Sequence, residues 1–375
     1  MKKVYLRTFG CQMNERDSEW VMGNLLDRGF CKADSADEAD IVIFNTCSVR
    51  KHAEDRAISI MGQLARLKKK RPSLICGIMG CTAEYQGKDL FERLPHLDFL
   101  CGTANLHHIP DLINRILERR EKEFFIGNLK GHLPEVNTDF RVKKKDALIS
   151  ISRGCNNFCT YCIVPYVRGP ERSRAPEDII KEIDGLLKNG YVNFTLLGQN
   201  VNAYGKDLGE GVSFVGLLRA IDKLKARKKI SFLTSHPKDA SIELFEAIRD
   251  LKGLSKHLHL PLQSGSDKIL KAMNRGYDSK YYLNKVRYFR RLVPNGLLTT
   301  DIIVGFPGET DEDYKRTREL FKEEEFDASF IFKYSPRPPA HSSKMEDSVP
   351  KELKEKRHRE LLEMQKAISK RKKKT

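Results

Sequence analysis

The stretch Arg153-Gly154-Cys155-Asn156-Asn157-Phe158-Cys159-Thr160-Tyr161-Cys162 holds three of the chain's 9 cysteines in a C-x3-C-x2-C spacing, and no cysteine follows Cys162. A closed iron–sulfur site takes four thiolates, and a structural zinc site also takes four ligands. Three neighbouring thiolates without an obvious fourth imply a cubane with one iron left open. An open position on a metal centre is where a substrate or cofactor binds. The competing reading is a zinc knuckle or a chance group of thiols, and the sequence flanking the stretch argues against both.

Outward from this stretch, the chain of 375 residues is long enough for roughly two or three domains. Its 40% hydrophobic content supports real cores. Lys and Arg exceed Asp and Glu by 17, partly in the runs Lys68-Lys69-Lys70-Arg71, Lys143-Lys144-Lys145 and Lys370-Arg371-Lys372-Lys373-Lys374. An excess of that size favours a polyanionic partner, most simply nucleic acid. No apolar run approaches the roughly 18 residues needed to span a bilayer. The start, Met1-Lys2-Lys3-Val4-Tyr5-Leu6, turns polar at Arg7 without a signal-peptide core. The expectation is a cytoplasmic protein, where thiols stay reduced and cysteines are ligands more often than disulfides.

Residues 1–140 alternate strand and helix patterns. Lys3 to Thr8, Ile41 to Phe44 and Leu74 to Met79 read as strands, and the continuous apolar run of the second suits a parallel strand buried on both faces. Ala53, Ala57, Met61, Leu64 and Leu67 recur at helical spacing between them. This alternation predicts an open parallel-sheet α/β domain. A cysteine follows each strand: Cys11 in Phe9-Gly10-Cys11-Gln12-Met13-Asn14, Cys47 in Asn45-Thr46-Cys47-Ser48-Val49-Arg50, and Cys81 in Gly80-Cys81-Thr82. Successive βα loops share one edge of such a sheet, where ligands bind. Thiolates far apart in sequence would then converge on a second three-cysteine site with an open iron. Cys76 reads as a core residue inside a strand and Cys31 as a loop residue. Cys101 follows a strand-like run and is the best substitute ligand.

From about Lys144 the rhythm continues with candidate strands Ala147 to Ser152, Asn193 to Leu197, Ile230 to Leu233, His257 to Leu260, Leu298 to Val304 and Ser329 to Lys333. A helix runs from about Pro176 to Lys188, with Pro in its first turn, Gly190 beyond its end and Ile179, Ile180, Ile183 and Leu187 as core positions. Six βα units predict an incomplete barrel whose site lies at the C-terminal ends of the strands. The cysteine stretch follows the first of these strands. Polar motifs follow others: Gly198-Gln199-Asn200-Val201-Asn202, Ser235-His236-Pro237, Pro261 to Ser266 and Gly305 to Thr310. His236, His257 and His259 are candidate ligands or bases, although satisfied structural histidines are commoner.

The C-x3-C-x2-C stretch, with an aromatic residue before its last cysteine, resembles the radical S-adenosylmethionine (SAM) superfamily. Together with Thr8 to Asn14, Asn45 to Arg50, Leu197 to Asn202, Thr234 to Pro237, His259 to Asp267 and Asp301 to Thr310, it makes the chain resemble the methylthiotransferases of that superfamily. Among these it is most similar to the tRNA 2-methylthio-N6-isopentenyladenosine synthases. The resemblance implies two [4Fe–4S] clusters. An auxiliary one would sit on Cys11, Cys47 and Cys81, and the radical SAM cluster on Cys155, Cys159 and Cys162. It puts Tyr161 near the adenine of SAM. Gln199, Asn200, Gln263 and Ser264 are the candidate polar contacts to its ribose and methionyl groups. The implied chemistry uses SAM twice. One molecule methylates a sulfur held on the auxiliary cluster. A second is cleaved to a radical that abstracts hydrogen from C2 of the prenylated adenosine at position 37 of the tRNA anticodon loop. The cofactors carry that chemistry while the protein positions and excludes water. No acid–base dyad is assigned. Expected partners are tRNA, a low-potential electron donor such as flavodoxin or ferredoxin, and a sulfur donor, with no membrane and a monomeric chain.

The expected division is an N-terminal domain at 1–118, a linker at 119–140, a partial (β/α)6 radical SAM barrel at 141–371 and a basic tail at 372–375. The resemblance also implies a C-terminal RNA-binding β-barrel, TRAM, which the sequence ending at Thr375 after a predicted helix from Pro350 to about Lys370 does not include. The family's Gly-Thr is likewise missing after Arg337-Pro338. Both departures bear on tRNA affinity, and the tail Lys366 to Lys374 is a candidate phosphate contact in compensation. Two other functions compete: methylthiolation of a threonylcarbamoyl-adenosine tRNA or a ribosomal protein, and a non-catalytic iron–sulfur RNA-binding protein.

Overall fold

A computed structural model describes residues 1–127, 140–224 and 227–372. Contacts divide the chain into two compact units, residues 1–144 with 163–170 and residues 145–162 with 171–375.

The first unit is built on β1 (Lys3–Thr8), β2 (Cys31–Lys32), β3 (Ile41–Thr46), β4 (Ile75–Gly80), β5 (Phe99–Cys101) and β6 (Glu123–Phe125). They form one sheet in the order β2-β1-β3-β4-β5-β6, and every pair is parallel. β3 and β4 are buried at every residue, as central parallel strands covered on both faces must be. The period-two alternation of a strand sorts the core into two layers. Ile41 and Ile43 pack with Trp20, Leu25, Leu112 and Ile116. Val42 and Phe44 pack on the opposite face with Ala57, Met61 and Leu90. The first face thus carries α1 (Gln12–Asp27) and, later in the chain, α5 (Ile109–Arg119). The second carries α2 (Lys51–Lys70) and α4 (Asp89–Arg93). α3 (Cys81–Gln86) starts directly at the end of β4. A sixth helix, α6 (Val164–Arg168), belongs to this unit although it follows the barrel's cysteine stretch in the chain.

Three sequence expectations shift here. Cys31 is not in a loop: Lys3 pairs with Cys31 and Val4 with Lys32, an edge strand too short to leave a pattern. Residues 123–125, inside the stretch expected as a linker, form β6, while residues 128–139 lie outside the described residues. Cys101 does not follow its strand but ends it, fully buried.

The second unit contains β7 (Asp146–Ser150), β8 (Ser152–Arg153), β9 (Arg172–Ser173), β10 (Asn193–Leu197), β11 (Lys229–Phe232), β12 (His257–His259), β13 (Leu297–Val304) and β14 (Ala328–Lys333). β7, β10 and β11 are adjacent and parallel, as are β12, β13 and β14. The two sets are joined where Ile230 N donates to Gly253 O at 2.7 Å and Ser255 N to Ile230 O at 2.8 Å. Six parallel strands therefore follow one another in chain order as a partial (β/α)6 barrel. Helices α7 (Pro176–Lys188), α8 (Phe214–Asp222), α9 (Ile242–Asp250), α10 (Asp267–Ala272), α11 (Ser279–Leu292) and α12 (Asp311–Glu324) separate them. α7 has the expected bounds, with Ile179 and Ile183 fully buried. Ile180 and Leu187 are only half-buried, because the inward face also takes Glu182, paired with Arg174 at 2.7 Å.

The final helix, α13 (Lys351–Lys372), lies along β14 and buries Arg357, Leu361, Gln365 and Ile368. Arg357 donates to Glu309 Oε1 at 2.6 Å and to Asp311 at 2.7 Å. Lys372 pairs with Asp327 at 2.8 Å and Arg371 with Glu325. Two of the basic residues expected to face phosphate thus have carboxylate partners at home. Residues 373–375 lie outside the described residues. Among the described residues no helix is long and apolar enough to cross a membrane.

Candidate functional site

In the first unit the chain runs from β1 outward to β2, then returns past β1 to β3. That reversal opens a crevice beyond the carboxyl ends of β1 and β3, the usual ligand site of a doubly wound sheet. Cys11 sits at the N-cap of α1 after β1, Cys47 follows β3, and Cys81 follows β4 as the first residue of α3. The three carriers are neighbours in the sheet, so the three thiols lie close enough for their charges to act on one another. The charge of Cys11 raises the pKa of Cys47, and both raise that of Cys81. Burial is the larger cause in each case and pushes Cys81 up to about 12. A bound metal is what converts buried thiols of this kind to thiolates.

Buried amides lock these loops. Asn14 Nδ2 donates to Phe9 O at 3.0 Å and Thr46 O at 3.1 Å, tying the loops after β1 and β3 together. Asn45 Nδ2 donates to Asn14 O at 2.8 Å, and Thr46 Oγ1 to Met79 O at 2.9 Å. Gly10, at φ +124°, is needed for close approach: a Cβ there would fall 2.5 Å from Cys47 Cβ. Arg168 of α6 completes the group. Its Nη2 donates to Asn14 Oδ1 at 2.8 Å and Asp17 Oδ2 at 3.0 Å. Burial disfavours its charge, but Cys81, Asp17 and Cys11 together hold it protonated. Ser48 Oγ, Thr82 Oγ1 and Arg168 Nη1 are buried without partners. A polar ligand beside the cysteines would fill them. Cys101, by contrast, donates its thiol to Asn105 O at 3.2 Å and lies in the core.

In the second unit Cys155, Cys159 and Cys162 lie on one loop after β8. The loop is held from several sides. Gly154 N donates to Gln199 Oε1 at 2.5 Å, Thr160 N to Met273 O at 3.0 Å, and Thr160 Oγ1 to Ala272 O at 2.8 Å. Phe158 adopts φ +46°, uncommon outside glycine, and its carbonyl is fixed by Asn274 Nδ2 at 3.1 Å. Arg275 donates to Cys159 Sγ at 3.3 Å and Tyr161 Oη at 3.2 Å from one nitrogen. Its others reach Tyr277 Oη at 3.0 Å and Pro261 O at 3.3 Å. Cys155 is pushed up to about 11 by burial, with Cys159, Glu171 and Asp239 adding repulsion. Among the described residues, no three His, Cys, Asp or Glu side chains meet at the spacing of a single metal ion. A cubane gives each thiolate its own iron, so its ligands need not converge on one point.

The polar motifs divide into two kinds. Gln199 Oε1 is engaged by the cysteine loop through Gly154 N, and the fully buried Ser264 hydroxyl lies 3.3 Å from Thr317 Oγ1 and accepts from Ser266 N at 3.2 Å. Ser266 and Thr310 cap α10 and α12. Asn200 Oδ1, both polar ends of Asn202, Ser235 Oγ, His236 Nε2 and Gln263 Oε1 are buried with no partner. These follow β10, β11 and β12, so the orphaned atoms line the carboxyl edge of the barrel. Gln263 and Thr234 hold φ of +69° and +70° there, a strained conformation for a β-branched threonine. Burial, then Arg275, Lys238 and Lys206, drive His236 down to about 2, so its imidazole is neutral. The orphaned donors and acceptors fit a polar, hydrogen-bonding cofactor such as SAM. His257 and His259 share the hydroxyl of Thr299, at 2.8 and 2.9 Å, and His259 lies 3.4 Å from Asp301.

The family model described as the radical SAM superfamily matches residues 149–321, and that of uncharacterized protein family UPF0004 matches residues 3–102. A tRNA-2-methylthio-N(6)-dimethylallyladenosine synthase of Pelotomaculum thermopropionicum is 44% identical over 374 residues, covering 98% of this chain and 83% of its own. One of Clostridium perfringens is 46% identical over 365 residues, covering 96% and 82%. The chain belongs to the tRNA-2-methylthio-N6-dimethylallyladenosine synthase family. Membership makes it an enzyme, a radical SAM methylthiotransferase, whose cofactors are SAM and [4Fe–4S] clusters. The radical SAM methyltransferase TsrM of Kitasatospora setae shares the fold, with a TM-score of 0.66 at 13% identity over 88% of this chain and 73% of its own.

The spacing of this synthase-family sequence did not disclose Arg168, Arg275 or Asn202. Asn202 stood inside a quoted motif and only its burial without partners sets it apart. The arginines had no signal: each reaches its cysteines through tertiary packing.

Proposed function

We propose that the chain adds a methylthio group to C2 of N6-isopentenyladenosine at position 37 of tRNA. In this reading Cys155, Cys159 and Cys162 hold the radical SAM cluster and Cys11, Cys47 and Cys81 the auxiliary one. When bound, the first supplies the electron that cleaves SAM and the second carries the sulfur to be transferred. The observation that carries the reading is the set of buried, partnerless polar atoms on Asn200, Asn202, Ser235, His236 and Gln263 at the same carboxyl edge of the barrel as the cysteine loop. Asn200 and Gln263 keep an open oxygen for SAM. Gln199, through Oε1, and Ser264 support the site from behind.

The barrel interior suits a nucleobase. Phe330 and Phe332 are exposed on the face of β14 opposite Ile331, which packs in the core. His259 lies edge-on to Phe330 at 6.1 Å. Exposed aromatic faces stack single-stranded bases, and anticodon-loop bases can splay out to reach them. An apolar wall also accommodates a prenyl arm. tRNA, a low-potential electron donor and a sulfur donor are the partners of this reading.

The test is mass spectrometry of tRNA nucleosides from a host that lacks its own enzyme and expresses this chain. Accumulation of 2-methylthio-isopentenyladenosine is expected. If the nucleoside stays unthiolated while a threonylcarbamoyl-adenosine or a ribosomal protein gains the group, the substrate assignment is wrong.

A further inference from the structure

Arg168 is almost wholly buried, yet uses only part of its guanidinium. Nη2 serves Asn14 and Asp17, while Nη1 is buried with no partner. A buried polar group left unsatisfied is costly, more so when charged, and native proteins rarely leave one without purpose. Cys81 and Cys11 are its thiol neighbours. α6 is held to present it: Thr103 Oγ1 bonds Val167 O, and Val167 and Ile163 pack against Cys81. Asp17 neutralises the arginine only through the other nitrogen. The open donor is therefore left for an acceptor that arrives with the cysteines' ligand. Sulfur in an iron–sulfur cluster, or a thiolate on its open iron, is such an acceptor, and hydrogen bonds to cluster sulfur tune its potential.

We propose that Arg168 is a positioning residue of the auxiliary site, whose Nη1–H donates to an anionic sulfur of the cluster on Cys11, Cys47 and Cys81, easing its reduction and favouring a thiolate on its open iron. This rests on the reading that those three cysteines carry a cluster.

The test uses the full-length chain with Cys155, Cys159 and Cys162 changed to alanine, reconstituted anaerobically so that the auxiliary cluster is observed alone. Iron content, midpoint potential by EPR-monitored titration and the Kd of methanethiolate are measured. Arg168→Gln is expected to lower the reduced-to-oxidised ratio at fixed potential about tenfold, ~59 mV for a one-electron couple, and to raise the methanethiolate Kd about tenfold. Asp17→Asn, which removes the opposing charge, is expected to shift the potential the other way. Unchanged potential and Kd in Arg168→Gln at full iron content overturns the proposal. If Arg168→Gln loses the cluster, Arg168→Lys decides: restored iron and near-parental potential support the charge role, and continued loss makes Arg168 a structural residue and overturns it. No cluster in the parent with Arg168 intact refutes the underlying reading itself.

Discussion

The two three-cysteine groups are built by opposite routes. Cys155, Cys159 and Cys162 share one loop, so their meeting is a local matter of backbone. Cys11, Cys47 and Cys81 are spread over three strands and meet only because β1, β3 and β4 are adjacent at a sheet reversal. The local group is stiffened by partners that reach in from elsewhere, such as Gln199, Asn274 and Arg275. The distributed group is stiffened by its own neighbours Asn14, Asn45 and Thr46. Each has a buried arginine beside its cysteines, Arg275 in the barrel and Arg168 in the first unit. Arg275 has a partner at every nitrogen; Arg168 keeps Nη1 open. On the function proposed above, the barrel group would bind SAM and could be closed around its cluster, whereas the distributed group would carry a transferable sulfur and would use a donor held in reserve.

The largest expected effect separates the two groups outright. Cys159→Ala should abolish both reductive SAM cleavage and methylthiolation, measured anaerobically by 5′-deoxyadenosine release and by tRNA nucleoside analysis. Cys47→Ala should abolish methylthiolation but leave SAM cleavage. Each should lower the iron content by about four atoms per chain. Loss of SAM cleavage in Cys47→Ala would break the comparison by making the groups interdependent.

Next in size is the lock between loops. Asn14→Ala strips donors from Phe9 O and Thr46 O and an acceptor from Arg168 in a buried setting. A loss of about 3 kcal/mol is expected for the first unit. The chain's single tryptophan, Trp20, is buried in that unit, so its fluorescence in urea reports the unit alone. SAM cleavage should persist at low urea. Gly10→Ala should cost about 1–3 kcal/mol by the same measurement, because its Cβ would meet Cys47 Cβ at 2.5 Å. Gly87→Ala is the control, since Gly87 also has positive φ, +57°, but open space around it. Equal costs would show that backbone strain, not crowding at Cys47, makes Gly10 necessary.

How far the sequence disclosed each group follows from these routes. The local group was legible from spacing alone. The distributed one required the strands to be read first, and it was legible because Ile41 to Phe44 and Leu74 to Met79 are apolar runs with little alternative. β2 and β6 were not, since two or three half-exposed residues at a sheet edge carry no periodic signal. Gln199 and Ser264 read as cofactor contacts because an amide or hydroxyl in a turn motif has the same chemistry whether it faces a ligand or the backbone. Only the partners, Gly154 N and Thr317 Oγ1, distinguish them.

The smallest expected effect concerns a carboxylate in each unit. Burial pushes both Glu84 and Glu171 up to about 7, with Asp207 and Asp239 adding repulsion at Glu171. Glu84 accepts from Gly127 N at 2.8 Å through Oε1, while Oε2 is buried without a partner. A carboxyl raised on folding binds its proton more tightly in the native state. Its contribution is therefore complete below the unfolded value near 4.5 and is lost as pH rises to about 7. Taken alone, each carboxyl should make its unit less stable at pH 8 than at pH 5, by about 1–2 kcal/mol once its partial solvation is discounted. The imidazoles that burial holds neutral, His96 and His107 in the first unit and His236 and His257 in the second, act in the opposite direction. Glu84→Gln keeps an acceptor for Gly127 and removes the titration, so it should take away Glu84's share of the pH dependence of Trp20-monitored unfolding and raise stability at pH 8 relative to pH 5. Glu171→Gln should leave that curve unchanged, because it acts in the other unit. A slope left unchanged by Glu84→Gln would place the responsible proton elsewhere in the first unit. A slope removed by Glu171→Gln would show that the two units unfold as one, and the contrast between their sites would then be one of construction and not of independent stability.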